Sequence, residues 1–295
     1  MDNYTRGGRG ALLRPLMPVL FLAHGSPMLG LQPGGYGPVL EELGASLPAA
    51  KAVVIVSAHW RADRAIGVTA SAHPDQIYDF AGFPLELYHV RYRPRGDAFR
   101  AQRIVRSLEA AGFKAKADTG RGLDHGVWVP LRYLFPQATV PVIQVALPWP
   151  ETPARLMELG AALAPLRREG VLLIGSGGIV HNLAVLQWRD EDADPQPWAV
   201  EFEQWLLQHL LEGNHEALTK YREEAPFAAL AVPESEHLDP LFVVLGAVTA
   251  ADSIRPVYQK MQYGNLSMLS LGFGLPEAAE GAPSISAAGD ERRRL

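Results

Sequence analysis

Two stretches decide the fold: Pro18–Pro27, PVLFLAHGSP, and Lys51–Trp60, KAVVIVSAHW. Each opens on a short apolar run and closes on a small residue followed by a histidine, His24 in the first and His59 in the second. A continuous apolar run of this length reads as a strand buried on both faces, as in a parallel sheet covered by helices on each side. In an open α/β sheet, ligands bind in the crevice beyond the carboxyl ends of the strands, which is where these histidines stand. A third run, Gly170–Ile174, leads through the glycine turn GSGG to His181. Strand ends that deliver several imidazoles to one edge point to a shared site, and a metal is the occupant that suits them.

Outward from these runs, Val19–Ala23 is strand one, the Gly- and Pro-rich segment after His24 is a loop, Pro38–Leu47 is a helix and Lys51–Ser57 is strand two. That is a βαβ unit with a right-handed crossover. Ala65–Ser71 reads as a strand. Residues His73–Pro94 mix aromatics with turn residues, and two readings stand: an excursion that packs its rings on the core, or a segment that covers substrate. Helices are expected over Asp97–Gly112, Trp128–Leu134, Thr152–Leu166 and Pro197–Glu212, and strands over Val140–Ala146, Gly170–Ile174 and Ser267–Phe273. An apolar helix starts at Asp239-Pro240, where proline is tolerated. The expected architecture is a single α/β domain with an open, mostly parallel central sheet, helices on both faces and the metal site at the carboxyl ends of the strands. The domain spans 17–275, between an extension over 1–16 and a tail over 276–295 that are too poor in apolar pattern to fold.

The 295 residues include no cysteine, which excludes disulfides, thiolate metal sites and a cysteine nucleophile. A metal must then be held by His, Asp or Glu, a donor set for iron, zinc or manganese. A net charge of -5 gives no reason to expect nucleic acid or an anionic membrane as partner. No apolar stretch approaches the roughly 20 residues that span a bilayer, and no cleavable leader is evident, so a cytoplasmic protein is expected. A homo-oligomer is left open. HExxH and GxSxG are both missing, and GSGGIVH has no P-loop lysine, so the helix-borne zinc protease, serine hydrolase and nucleotide signatures fail.

Nine histidines are present. His24 and His59 end buried strands, where an imidazole needs a polar partner or a metal. His125, in LDHG, reads either as a base oriented by the adjacent carboxylate of Asp124 or as part of a turn in which Asp124 caps the next helix. His181 and His237 sit at loop-to-helix junctions. His73 and His89 fall in the irregular segment, and His209 and His215 read as surface or packing residues.

In these stretches the sequence resembles the class III extradiol ring-cleavage dioxygenases, in their DOPA 4,5-dioxygenase-like branch. The resemblance runs from about Pro18 to Phe273 and is carried, in order, by FLAHGSPM, VSAHW, IYDFAGFPLELYHVRY, LDHGVWVPL, IGSGGIVHNL and SEHLDPLFVVLGA. It implies a non-haem Fe(II) enzyme that inserts O2 into the ring of a small catechol, giving a muconate semialdehyde-type product. It implies His24, His59 and His237 as metal ligands. His181 matches a position described as a ligand in zinc-bound forms and is also a catalytic candidate, and His125 matches an acid/base or substrate-orienting histidine. The wider class is similar to a 2-His-1-carboxylate site, so Glu234 or Glu236 of the late ESEH motif is an alternative oxygen ligand. Tyr78, Phe80 and Phe83 can wall an aromatic ring, with core packing as the competing reading. Zn(II) can take the same donors as Fe(II). A zinc-dependent hydrolase and a non-catalytic metal-binding protein of the same fold remain as alternatives.

Overall fold

Alternation inside the apolar runs sets the layers. Val19 and Phe21 enter one core while Leu20 and Leu22 enter the other. In the second run, Val54 and Val56 join the first core, and Val53 and Ile55 the second. Successive side chains of a strand point to opposite faces, so apolar residues at every position require cover on both sides.

The computed structural model describes residues 16–276. The expected extension and tail fall outside them except at positions 16 and 276. The elements run β1 (Val19–Ala23), α1 (Tyr36–Ser46), β2 (Ala52–Ala62), β3 (Ile66–Thr69), α2 (Ala98–Ala110), β4 (Ala115–Asp118), α3 (His125–Leu134), β5 (Val142–Pro148), α4 (Pro153–Leu163), β6 (Val171–Gly177) and α5 (Pro197–Leu211). Three short helices follow, α6 (His215–Thr219), α7 (Tyr221–Glu224) and α8 (Ala228–Ala231), then α9 (Asp239–Ala247) and the strands β7 (Ile254–Tyr258), β8 (Met261–Gln262), β9 (Leu266–Ser267) and β10 (Ser270–Phe273). The main sheet has the order β4-β3-β5-β2-β6-β1-β10-β7. Its centre, β5-β2-β6-β1, is parallel throughout. The antiparallel pairs lie toward the edges, where β3 meets β5 and where β10 joins β1 and β7. Helices α2, α4, α5 and α9 cover one face, and α1 and α3 the other. The open, mostly parallel sheet expected from the sequence is therefore present. Among the described residues no helix is long and apolar enough to cross a membrane.

Two edge strands lack the signal that marks the central ones. β4 reads AKAD and is half-buried, and β7 reads IRPVY with Pro256 inside it. Proline removes a ladder donor and is tolerated at an edge. The second difference matters more. The apolar run ends at Ser57, yet β2 continues to Ala62. Its pairing with β5 jumps from Val56↔Val145 to Arg61↔Leu147, so residues 57–60 stand opposite Ala146 alone. This bulge holds His59. Bulges re-aim side chains and are common beside active sites.

Candidate metal centre

Each histidine is placed by a local device. His24 follows the last residue of β1, and its N–H donates to the Gly177 carbonyl at the end of β6 (3.2 Å). Gly25 then turns the chain at φ +57°, a region that favours glycine. His59 sits in the β2 bulge. His237 lies two residues before α9, and its carbonyl accepts the Gly178 N–H (2.8 Å). A Cβ on Gly177 would fall 2.0 Å from that carbonyl, and one on Gly175 2.5 Å from the Pro240 carbonyl. The small residues of GSGG thus serve close backbone approach between β6 and the start of α9. His125 is the first residue of α3, and the His181 N–H donates to the Ala231 carbonyl (3.0 Å).

Hydrogen bonds behind His24 and His237, and a carboxylate behind His59, favour one nitrogen of each ring facing inward. The Ser176 hydroxyl donates to the Gly126 carbonyl, so its oxygen is left to accept from His24 Nδ1 (3.0 Å). Glu236 Oε1 accepts from His237 Nδ1 (3.0 Å). Asp79 Oδ2 stands 3.7 Å from His59 Nδ1. A ring protonated at Nδ1 presents a lone pair at Nε2. His24 Nε2 and His59 Nε2 are 3.0 Å apart, and the buried His237 Nε2 has no hydrogen-bond partner among the described residues. One nitrogen from each of these three rings lies within 4.8 Å of the others. Lone pairs facing each other at that separation repel unless a cation lies between them. Two nitrogens each about 2.1 Å from one ion and at right angles are about 3.0 Å apart, so the pair fits a shared metal. Acceptors behind metal-binding imidazoles are the usual support for such a centre.

His181 lies beside this group. Its ring stacks on His237 with centroids 3.4 Å apart and planes 10° apart. One ligand atom of His181 lies within 4.8 Å of those of Glu236 and His237, a group that shares His237 with the three-histidine set. Glu236 faces the Nδ1 edge of His237, and Glu234 is largely exposed, in an ion pair with Arg61 at 3.6 Å. Neither glutamate joins the three-histidine group.

His125 is buried, with its ring centroid 4.1 Å from that of His59 and 5.4 Å from that of His24. The carboxylate that orients it is not Asp124. Asp124 points the other way, accepting from Ser57 Oγ (2.8 Å), Arg121 Nη2 (3.1 Å) and Gln144 Nε2. Nor does its side chain cap α3. Asp79 takes the orienting position: its Oδ1 lies 3.0 Å from His125 Nδ1 and accepts the His125 backbone N–H (2.9 Å). Sequence reasoning missed Asp79; the only signal was its place in the aromatic-rich segment. That segment both packs and covers. Phe80 meets the His125 ring edge-on at 5.6 Å, and Phe83 packs on Phe80 at 5.4 Å. Tyr78 donates to the Val90 carbonyl (2.7 Å), which ties the segment to itself. His73 and His89 are exposed, and His209 packs on Trp205.

Burial first, then the neighbouring imidazoles, holds His24 and His237 well below the ordinary histidine range. Burial and His125 push His59 down to about 3 and His181 to about 4. The three converging imidazoles are therefore neutral and ready to bind metal far below pH 6.5. Zn(II) affinity is expected to stay within about threefold between pH 7.5 and 5.5, because no ligand proton has to be displaced. Three histidines of ordinary pKa near 6.5 would lose about tenfold each over that range, roughly 10³ in all. A chelator-competition titration at the two pH values separates these outcomes.

A family model described as the catalytic LigB subunit of aromatic ring-opening dioxygenase matches residues 18–273. The chain belongs to the class III extradiol ring-cleavage dioxygenases. It is accordingly an oxidoreductase, and the hydrolase and non-catalytic readings give way to ring cleavage. This extradiol dioxygenase is 38% identical over 261 residues to the 4,5-DOPA dioxygenase extradiol of Escherichia coli K12, covering 88% of this chain and 95% of the relative. It is 40% identical over 226 residues to the enzyme of the same name from Portulaca grandiflora, covering 76% and 82%. The solved structure of an Escherichia coli K12 protein, described as uncharacterized protein JW3007, superposes with a TM-score of 0.75 at 35% identity, covering 88% of this chain and all of that one. An aromatic substrate and O2 follow from membership of this class.

Proposed function

We propose that this extradiol dioxygenase opens the ring of a DOPA-like catechol at a centre held by His24, His59 and His237, with Fe(II) as the working metal. The observation that carries the reading is the convergence of three neutral imidazole edges, two of them 3.0 Å apart and the third buried without a hydrogen-bond partner among the described residues. Bound there, Fe(II) supplies Lewis acidity and redox chemistry for O2 insertion, with positions left open by a three-donor set. The DOPA-like substrate is supported by the names of the relatives from Escherichia coli and Portulaca grandiflora.

The chain's own groups divide the remaining work. His125, with Nδ1 against Asp79, keeps Nε2 as its free edge and takes a catechol proton, then returns it as the ring opens. His181, neutral and stacked on His237, is a second proton carrier or, with zinc present, a further ligand. Phe80 and the Phe83 ring behind it wall the flat substrate, and Tyr78 holds that wall in place. The product is of the muconate semialdehyde type. Zinc recovered with the protein would be a passenger, since it outcompetes Fe(II) at such donors.

The test is oxygen uptake by protein loaded anaerobically with Fe(II), over catechols that include DOPA and protocatechuate. One O2 consumed per catechol with a yellow ring-opened product is expected, DOPA being turned over fastest. No uptake by protein shown to contain iron would overturn the reading.

A further inference from the structure

Asp79 is one carboxylate shared by two histidines with different duties. Its Oδ1 lies 3.0 Å from His125 Nδ1 and accepts the His125 backbone N–H at 2.9 Å. The angle at His125 Nδ1 falls outside a regular hydrogen bond, so the contact there is chiefly one of charge. Its Oδ2 lies 3.7 Å from His59 Nδ1, again a charge contact. Nothing in the sequence pairs these residues: Asp79 is 20 positions from His59 and 46 from His125.

The fold holds the carboxylate in this place from both sides. Trp128, in the first turn of α3, donates Nε1–H to the Ile77 carbonyl (2.9 Å), and His125, the first residue of the same helix, donates its N–H to Asp79 itself. Gln76 anchors the other flank, donating to the Val90 carbonyl (3.1 Å) and accepting from the Tyr92 N–H (2.8 Å). The loop is thus docked on the start of α3.

An anionic oxygen beside an imidazole nitrogen is repelled by a lone pair there and attracted by an N–H, so it selects the ring form with its proton on that nitrogen. Asp79 faces Nδ1 in both rings. We propose that Asp79 is a positioning residue that holds the protons of His59 and His125 on Nδ1 together, which leaves both Nε2 lone pairs free, one toward the metal and one for proton transfer. This rests on the functional reading above for the duties of the two rings, though not for their tautomers. A rival role, direct ligation of the metal by Asp79, is disfavoured because the carboxylate lies on the Nδ1 edge of His59 while His24 lies 3.0 Å from its Nε2.

The experiment is nitrogen-15 NMR of the histidine rings in the full-length Zn(II)-loaded protein, wild type and Asp79→Asn, with steady-state kinetics of the Fe(II)-loaded forms alongside. A carboxamide offers one acceptor and one donor, so it suits only one of the two Nδ1–H groups. In the wild type both rings are expected to carry the proton on Nδ1. In Asp79→Asn, either His125 moves its proton to Nε2 or His59 releases the metal, with metal affinity down about 10- to 100-fold. The kinetics should show kcat down by a similar factor and KM for the catechol within about threefold, since Asp79 does not touch substrate. Nε2–H on either ring of the wild type, or unchanged tautomers and affinity in the variant, overturns the proposal. The wild-type spectrum decides even if the variant folds poorly. The ring spectra need no turnover, so an inactive wild type with the expected tautomers would count against the dioxygenase chemistry and not against Asp79.

Discussion

His59→Ala and His24→Ala proteins are expected to leave a metal-loading column without stoichiometric metal, while the wild type retains it. Each removes one of three nitrogens that lie within 4.8 Å of one another. Changing an outer partner of a metal ligand costs about 10- to 100-fold in affinity, so removal of a ligand itself should cost more than about 100-fold. His59 is the cleaner test. It stands in a bulge, half-buried, where loss of the ring leaves the β2–β5 pairs on either side intact. His24 is buried and bonded to Ser176, so His24→Ala also leaves that hydroxyl with one partner fewer. Metal content by elemental analysis, with circular dichroism to show that each variant is folded, reads the result. Full metal content in both would remove them as ligands.

His125→Ala should do the reverse: metal retained, turnover slowed by about 10²–10⁴-fold, the usual worth of a positioned acid/base group. The backbone N–H that bonds Asp79 survives the substitution, so the aromatic segment keeps its anchor on α3. Single-turnover oxygen uptake at saturating catechol isolates the chemical step. Turnover equal to wild type would take His125 out of the mechanism, and loss of metal would make it a ligand.

The contrast between these variants follows where the rings stand, His24 and His59 at the ends of β1 and β2 and His125 at the start of α3. Apolar runs at Val19–Ala23 and Ala52–Val56 were legible as central strands because their buried neighbours on both faces leave no room for polar side chains. The position of His24 directly after a buried strand was legible for the same reason. The reach of β2 beyond Ser57 was not legible, since a bulge is a relation between two strands and depends on what β5 offers opposite it. The edge strands β4 and β7 were missed because an edge can be half-exposed and even contain proline.

Chain order alone determined that there is one α/β unit, that its metal donors must be histidine or carboxylate for want of cysteine, and which motifs carry the family resemblance. These are properties of residue type and local pattern. Only the tertiary structure decided which carboxylate serves which histidine. Adjacency suggested Asp124 for His125, yet Asp124 is drawn into a buried network with Ser57, Arg121 and Gln144, and Asp79 arrives from 46 residues away. It likewise stacked His181 flat on His237, a contact between residues 56 positions apart. Direction is the physical reason: a lone pair binds along one line, and that line is set by the packing of whole elements, not by position in the chain.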